Sequence, residues 1–178
     1  MSDVMFDLET LDTKPSAVIL SLGAVKFDPR QKGIDLNTER LSLRLEIDPQ
    51  SNMGRTISED TIAWWATQSK EAQEAAFGEI DRTPVLEAIE QFHKFVWNSD
   101  RIWSQGSFDV NIMEHLYTSL GKPYAWQYWQ VRDSRTLFDF VDGNLDRTKH
   151  HDAVEDAIAQ AEAVQRALRK IGWNGTKL

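Results

Sequence analysis

The sequence contains no cysteine. Disulfide scaffolds, zinc ribbons, thiol nucleophiles and iron–sulfur sites are excluded, any chemistry must come from oxygen and nitrogen groups, and a reducing compartment is allowed. Long apolar runs are lacking too: no segment approaches the roughly 18 residues needed to span a bilayer, and Met1-Ser2-Asp3 opens no basic region ahead of an apolar one. These features predict a soluble, cytoplasmic protein with no membrane partner. Basic residues are in the minority, 20 Lys+Arg against 28 Asp+Glu, for a formal net charge of −8. That balance argues against coating a nucleic-acid backbone by counterion release, but not against gripping one strand end, and two bound divalent cations would halve it. With 178 residues, 41% hydrophobic and 27% charged, the chain has the size and composition of one globular domain over 1–178. No repeat, low-complexity tract or linker divides it.

Hydrophobic periodicity sets out the elements. Val4 to Leu8 is an apolar run broken by Asp7 and followed by Glu9, and Ala17 to Phe27 is rich in β-branched residues, so both read as strands. Between them, Asp12, Lys14 and Pro15 supply turn chemistry over a hairpin-compatible length. Leu41, Leu43, Leu45 and Ile47 alternate with polar residues, giving a third strand with one wet face and an antiparallel start to the sheet. Helices are predicted after Ser58 as N-cap and after Thr83-Pro84 as N-cap and first helical residue. Arg101 to Trp103 reads as a short fourth strand, followed by a helix from about Asp109 to Leu120 that Gly121 and Pro123 stop. The last helix carries an apolar stripe of Ala153, Ala157, Ala161, Val164, Leu168 and Ile171, with Gly172 at its C-terminal end.

The acidic residues have two readings each. Asp7 and Glu9 lie two apart on a strand, which points both side chains to one face, either as metal ligands or as a solvated pair. The apolar surroundings of Met5-Phe6-Asp7-Leu8 favour a central strand, where unpaired charge is costly. Asp109 follows a strand and begins a helix, where an N-cap role explains it fully. Asp156 sits one turn into the last helix, where a solvated acidic face is the default. His151 and its neighbour His150 precede that helix as surface histidines, yet His151 with Asp156 has the spacing that lets a histidine at the helix entrance reach a cluster one turn in.

Taken together, Phe6-Asp7-Leu8-Glu9-Thr10, Ser107-Phe108-Asp109 and His151-Asp152-Ala153-Val154-Glu155-Asp156 resemble, in order, the three motifs of the DEDDh branch of the DnaQ-like 3′-to-5′ exonucleases. The segments Thr61-Ile62-Ala63-Trp64-Trp65, Trp103-Ser104-Gln105-Gly106 and Arg132-Asp133-Ser134-Arg135-Thr136 make the chain look most like the phage exodeoxyribonucleases and the related bacterial exoribonuclease-like group. One departure is Gln105, at a position where many members carry asparagine. The resemblance implies an α/β fold of the ribonuclease H-like type, a mixed central sheet with antiparallel first strands flanked by helices.

It further implies that Asp7, Glu9, Asp109 and Asp156 hold two divalent cations, with Asp7 as the bridge and His151 taking the proton from the attacking water. Clustered carboxylates raise one another's pKa values and need cations, and oxygen-only ligands select Mg²⁺ or Mn²⁺. The implied reaction is stepwise release of nucleoside 5′-monophosphates from single-stranded DNA or RNA 3′ ends. Thr10 and Leu11 are placed to touch the terminal nucleotide, as their counterparts do in the family. Trp64, Trp65 and Phe108 can stack on a base, with a core role as the alternative for each, and Arg132 and Arg135 can meet phosphate or pair with Asp133. A homodimer is compatible with the resemblance. Competing readings are an all-helical HD-type phosphohydrolase built on His150-His151-Asp152, a nuclease-like domain that binds nucleic acid without cutting, and a proofreading polymerase subunit.

Overall fold

The computed structural model describes residues 2–78, 81–141 and 151–175. The chain runs β1 (Asp3–Thr10), β2 (Ile19–Phe27), β3 (Arg40–Leu45), α1 (Asp48–Asn52), α2 (Glu59–Trp65), α3 (Lys70–Phe77), β4 (Arg82–Thr83), α4 (Val85–Val96) and β5 (Arg101–Ser104). It continues through α5 (Phe108–Ser119), a 3-10 turn (Tyr128–Gln130), β6 (Val131–Asp133), α6 (Ser134–Phe140) and α7 (Ala153–Lys170). The six strands form one sheet in the order β4-β3-β2-β1-β5-β6. β1, β2 and β3 pair antiparallel, whereas β5 joins β1 in parallel and β6 joins β5 in parallel. This is the mixed α/β architecture expected from the sequence, and its sheet rules out the all-helical HD-type alternative. No described helix is long and apolar enough to cross a membrane.

The alternation along β1 sorts its side chains onto two layers. Val4, Phe6 and Leu8 enter a core with Ala88, Ile89 and Phe92 of α4 and Ile112, Met113 and Leu116 of α5. Phe6 tilts against Phe92 at 5.3 Å between ring centroids. Met5 faces the other way, into a core with Ala157, Ala161, Val164 and Leu168 of α7. Asp7 and Glu9 share the parity of Met5, so the two carboxylates face α7. The alanines of α7 keep its stripe shallow, which lets the helix lie close to the strands.

Gly23 makes that approach possible. It stands opposite Asp7 in the β1–β2 register. A Cβ at Gly23 would lie 2.1 Å from Ala153 C and Val154 N, the first residues of α7. A glycine inside a strand is otherwise unfavourable, and here it marks close approach of another backbone. Asp152 caps the same helix end, its Oδ1 accepting from the backbone N–H of Val154 and Glu155. At the far end Gly172 takes a left-handed φ of 69°, its N–H donating to Arg169 O while Trp173 N–H donates to Leu168 O. Those paired bonds satisfy the last carbonyls of the helix.

Expected boundaries shift by a residue or two, the third strand ending at Leu45 and not Ile47. Pro84, not Thr83, is the N-cap of α4, and no side chain caps that helix. The second strand begins at Ile19, and Ala17 forms an isolated bridge with Thr56 instead.

Candidate active site

Four acidic residues from three elements meet at the C-terminal end of β1. Asp7 and Glu9 come from β1, Asp109 from the first turn of α5, and Asp156 from the first turn of α7. Asp7, Glu9 and Asp156 each place one carboxylate oxygen within 4.8 Å of the others. Asp109 stands beside this trio: its Oδ1 accepts from Leu8 N–H at 3.2 Å, a bond spanning 101 residues. The helix-cap explanation of Asp109 therefore fails, because Ser107 occupies the N-cap and Asp109 is a buried helical residue.

Burial first, and then the charges of Asp109 and Glu9, push the Asp7 carboxyl well above its ordinary range. Burial likewise raises Glu9 to about 8, with Asp156 and Asp109 adding repulsion. Asp109 is raised to about 7 by burial, against the lowering effect of its hydrogen bond from Leu8. Buried carboxylates this close repel one another, and only protons or cations offset their charge. An all-oxygen donor set with unbalanced negative charge fits hard divalent cations.

Gln160 completes the cluster. One turn beyond Asp156, it is buried on α7 and its Nε2 donates to Asp7 Oδ1 at 2.8 Å. The sequence offers one signal for it, a glutamine beside an alanine stripe at i+4 from an acid. His151 adopts a left-handed φ of 67°, and its backbone N–H donates to Asp156 Oδ2 at 3.0 Å. Its Nδ1 lies 3.9 Å from Glu9 Oε1. The imidazole stands edge-on to Trp64 at 4.9 Å and to Trp65 at 5.8 Å between centroids. His150 lies outside the described residues.

A cavity of about 400 Å³ adjoins the acids, with Glu9, Thr10, Asp60, Thr61, Trp64 and Phe108 in its lining. Trp64 and Phe108 are partly exposed, whereas Trp65 is 2% exposed. Trp65 also reaches the cavity wall, but its indole N–H donates to Thr10 O, which fixes the backbone after β1. Leu11 is buried in the core with Trp65 and outside that lining. Arg135 is likewise outside the lining and packs its side chain along Gly106. Asp133 forms no ion pair with Arg132 or Arg135 among the described contacts. Its Oδ1 accepts from Gly106 N–H and Arg135 N–H, tying α6 to the loop that delivers Asp109. Arg132 donates to Trp129 O and Val131 O.

Comparison with known proteins places this geometry. The family model of the 3′-5′ exoribonuclease Rv2179c-like domain matches residues 2–168. The chain belongs to that family. No curated protein matches the sequence. Among solved structures, the fold is similar to Exonuclease X in complex with 5′ overhanging duplex DNA, at 16% identity and TM-score 0.51, covering 97% of this chain and 94% of that one. It is also similar to the nuclease domain of 3′hExo, a DEDDh family member bound to rAMP, at 14% identity and TM-score 0.54, with 95% and 92% covered. The RNase domain of the yeast Pop2 protein matches at 10% identity and TM-score 0.59, over 95% of this chain and 78% of that one. The fold is thus ribonuclease H-like, and the domain is a 3′-5′ exonuclease.

Proposed function

We propose that the chain removes nucleoside 5′-monophosphates one at a time from single-stranded 3′ ends, with RNA the preferred strand, by a mechanism that uses two divalent cations. Asp7, Glu9, Asp109 and Asp156 would hold the ions, Mg²⁺ or Mn²⁺. The single observation that carries this reading is the convergence of the Asp7, Glu9 and Asp156 oxygens within 4.8 Å, with the proton affinities of Asp7 and Glu9 raised by burial and repulsion. The preference for RNA rests on the family, whose description is that of an exoribonuclease. Because the family model runs from residue 2 to 168, the chain is read as one exonuclease domain over 1–178.

When bound, two such ions stabilise charge on both the attacking and the leaving oxygen of an in-line displacement at phosphorus. The protein's own groups do the rest. Gln160 fixes the rotamer of Asp7 through its amide, and the backbone of His151 fixes that of Asp156. His151, packed roughly perpendicular to the rings of Trp64 and Trp65 and near Glu9, takes the proton of the attacking water as general base. Trp64 and Phe108 supply faces on which any terminal base can stack, and Thr10 lies at the junction of the base cavity and the acids. Trp65 and Leu11 act from behind, holding the backbone that carries Thr10. Arg135, close to Asp109, meets the strand's phosphates.

The test is the release of mononucleotides from 5′-labelled single-stranded RNA and DNA with Mg²⁺, Mn²⁺ or chelator. A metal-dependent ladder that shortens from the 3′ end, faster on RNA, is expected. Internal cleavage, or equal rates in chelator, would overturn the assignment.

A further inference from the structure

The cavity of about 400 Å³ beside the catalytic acids has a one-sided lining: it holds the carboxylates of Glu9, Asp12 and Asp60 and, among the described residues, no lysine, arginine or histidine. Two of those carboxylates are engaged elsewhere. Glu9 belongs to the catalytic cluster, and Asp12 is buried, its Oδ1 accepting from Thr13 N–H at 2.7 Å. Asp60 is exposed, and its carboxylate makes no hydrogen bond or ion pair with any described residue. In a cleft that takes the end of a polyanion, such a charge opposes binding unless a donor on the substrate engages it.

Position decides which part of a terminal nucleotide meets Asp60. Asp60 and Trp64 lie four residues apart on α2 and so share one face of the helix. Trp64 and Trp65, at the C-terminal end of α2, both pack on the His151 imidazole, which puts Asp60 about 6 Å farther along the helix from the reacting end. The ribose and phosphate belong at the Glu9 end, and the base at the Asp60 end. A carboxylate only accepts, through two neighbouring oxygens. Of the RNA bases, guanine alone carries two adjacent donors on its Watson–Crick edge, N1–H and the N2 amino group. Adenine and cytosine set one amino donor beside an acceptor, and uracil sets one N–H between two carbonyls.

We propose that Asp60 reads the terminal base and favours guanine, stacked on Trp64 with N1–H and the N2 amino group donating to the two carboxylate oxygens. This rests on the cavity receiving the 3′-terminal nucleotide. Two measurements test it. Binding of the 5′-monophosphates of guanosine, adenosine, cytidine and uridine in Mn²⁺ is followed by calorimetry, and release of the last nucleotide is timed on 5′-labelled RNAs that differ only at that nucleotide. The guanosine nucleotide is expected to bind about tenfold more tightly than the others, and the guanosine end to be removed with about tenfold higher kcat/KM. Asp60→Asn puts a donor in place of one acceptor, which matches the donor–acceptor edge of adenine, so the preference should pass to the adenosine nucleotide and the adenosine end. Asp60→Ala should level all of them. Equal affinities and rates in the wild type, or a guanine preference that survives both substitutions, overturns the proposal. So does a loss of rate in the variants that is the same for every end, the mark of a merely structural Asp60. Affinities ranked through Asp60 without nucleotide release from any end would bear out the base reading while refuting the exonuclease assignment.

Discussion

Replacing Gly23 with alanine perturbs the site without touching any of its side chains. The added methyl would sit 2.1 Å from two backbone atoms at the start of α7, where ordinary contact begins at 3.4 Å. Neither strand β2 at the sheet centre nor a helix backbone can rotate away, so the N-terminal turn of α7 must retreat by about 1.3 Å. Overpacking of this kind costs about 1–3 kcal/mol, which for a chain of this length lowers Tm by roughly 2–12 °C. The functional effect is larger, because the retreating turn carries Asp156 and adjoins His151. A displacement of that size in positioned groups costs about a hundredfold in turnover. Thermal denaturation and mononucleotide release from labelled RNA are measured together, beside Gly54→Ala as control. Gly54 has a φ of 82° and open space around it, so its alanine variant loses stability through backbone strain while its turnover stays normal. A Gly23→Ala protein with wild-type turnover would refute the claim that close approach of α7 builds the site.

Further outcomes follow from the same geometry. Glu9 and Asp109, raised to about 8 and about 7, bind protons in the folded state that the unfolded chain has already lost, so in chelator their contribution destabilises the fold as pH rises from 5 to 8. Melts should show a lower Tm at pH 8 than at pH 5, and Mn²⁺ should remove the difference; a flat profile counts against the buried cluster. His151→Ala should lower kcat by about 10²–10⁴-fold with KM little changed, and a pure rise in KM would remove its role as base. Gln160→Ala should lower turnover by about 10–100-fold and raise the Mn²⁺ concentration needed for half-maximal rate, whereas an unchanged metal requirement would separate it from Asp7.

Much of this arrangement was legible in the residues. The period of β1 placed Asp7 and Glu9 on one face because a strand alternates strictly, and the apolar stripe of α7 gave the helix that supplies Asp156. The order of the motifs joins them to Asp109 and His151. Elements too short for a period were missed: β4 has two residues and β6 three, and both exist only through their neighbours in the sheet. Roles that arise from tertiary contact were missed as well. Nothing local distinguishes Gly23 from a weak point in a strand, or Trp65 from Trp64, until α7 and the backbone of Thr10 are in place. Taken alone, Asp109 allows a helix cap, and it is the tertiary structure that puts Ser107 at the N-cap and Asp109 in a buried position bonded to Leu8.

The central claim is that the cluster at the end of β1 cuts nucleic acid from the 3′ end with the help of divalent cations. Its most direct test is a time course on 5′-labelled single-stranded RNA with Mn²⁺ or chelator, wild type beside Asp7→Ala. A ladder shortening by single nucleotides from the 3′ end, present only for wild type with metal, is the predicted result. A ladder of the same rate from the folded Asp7→Ala protein would contradict the account.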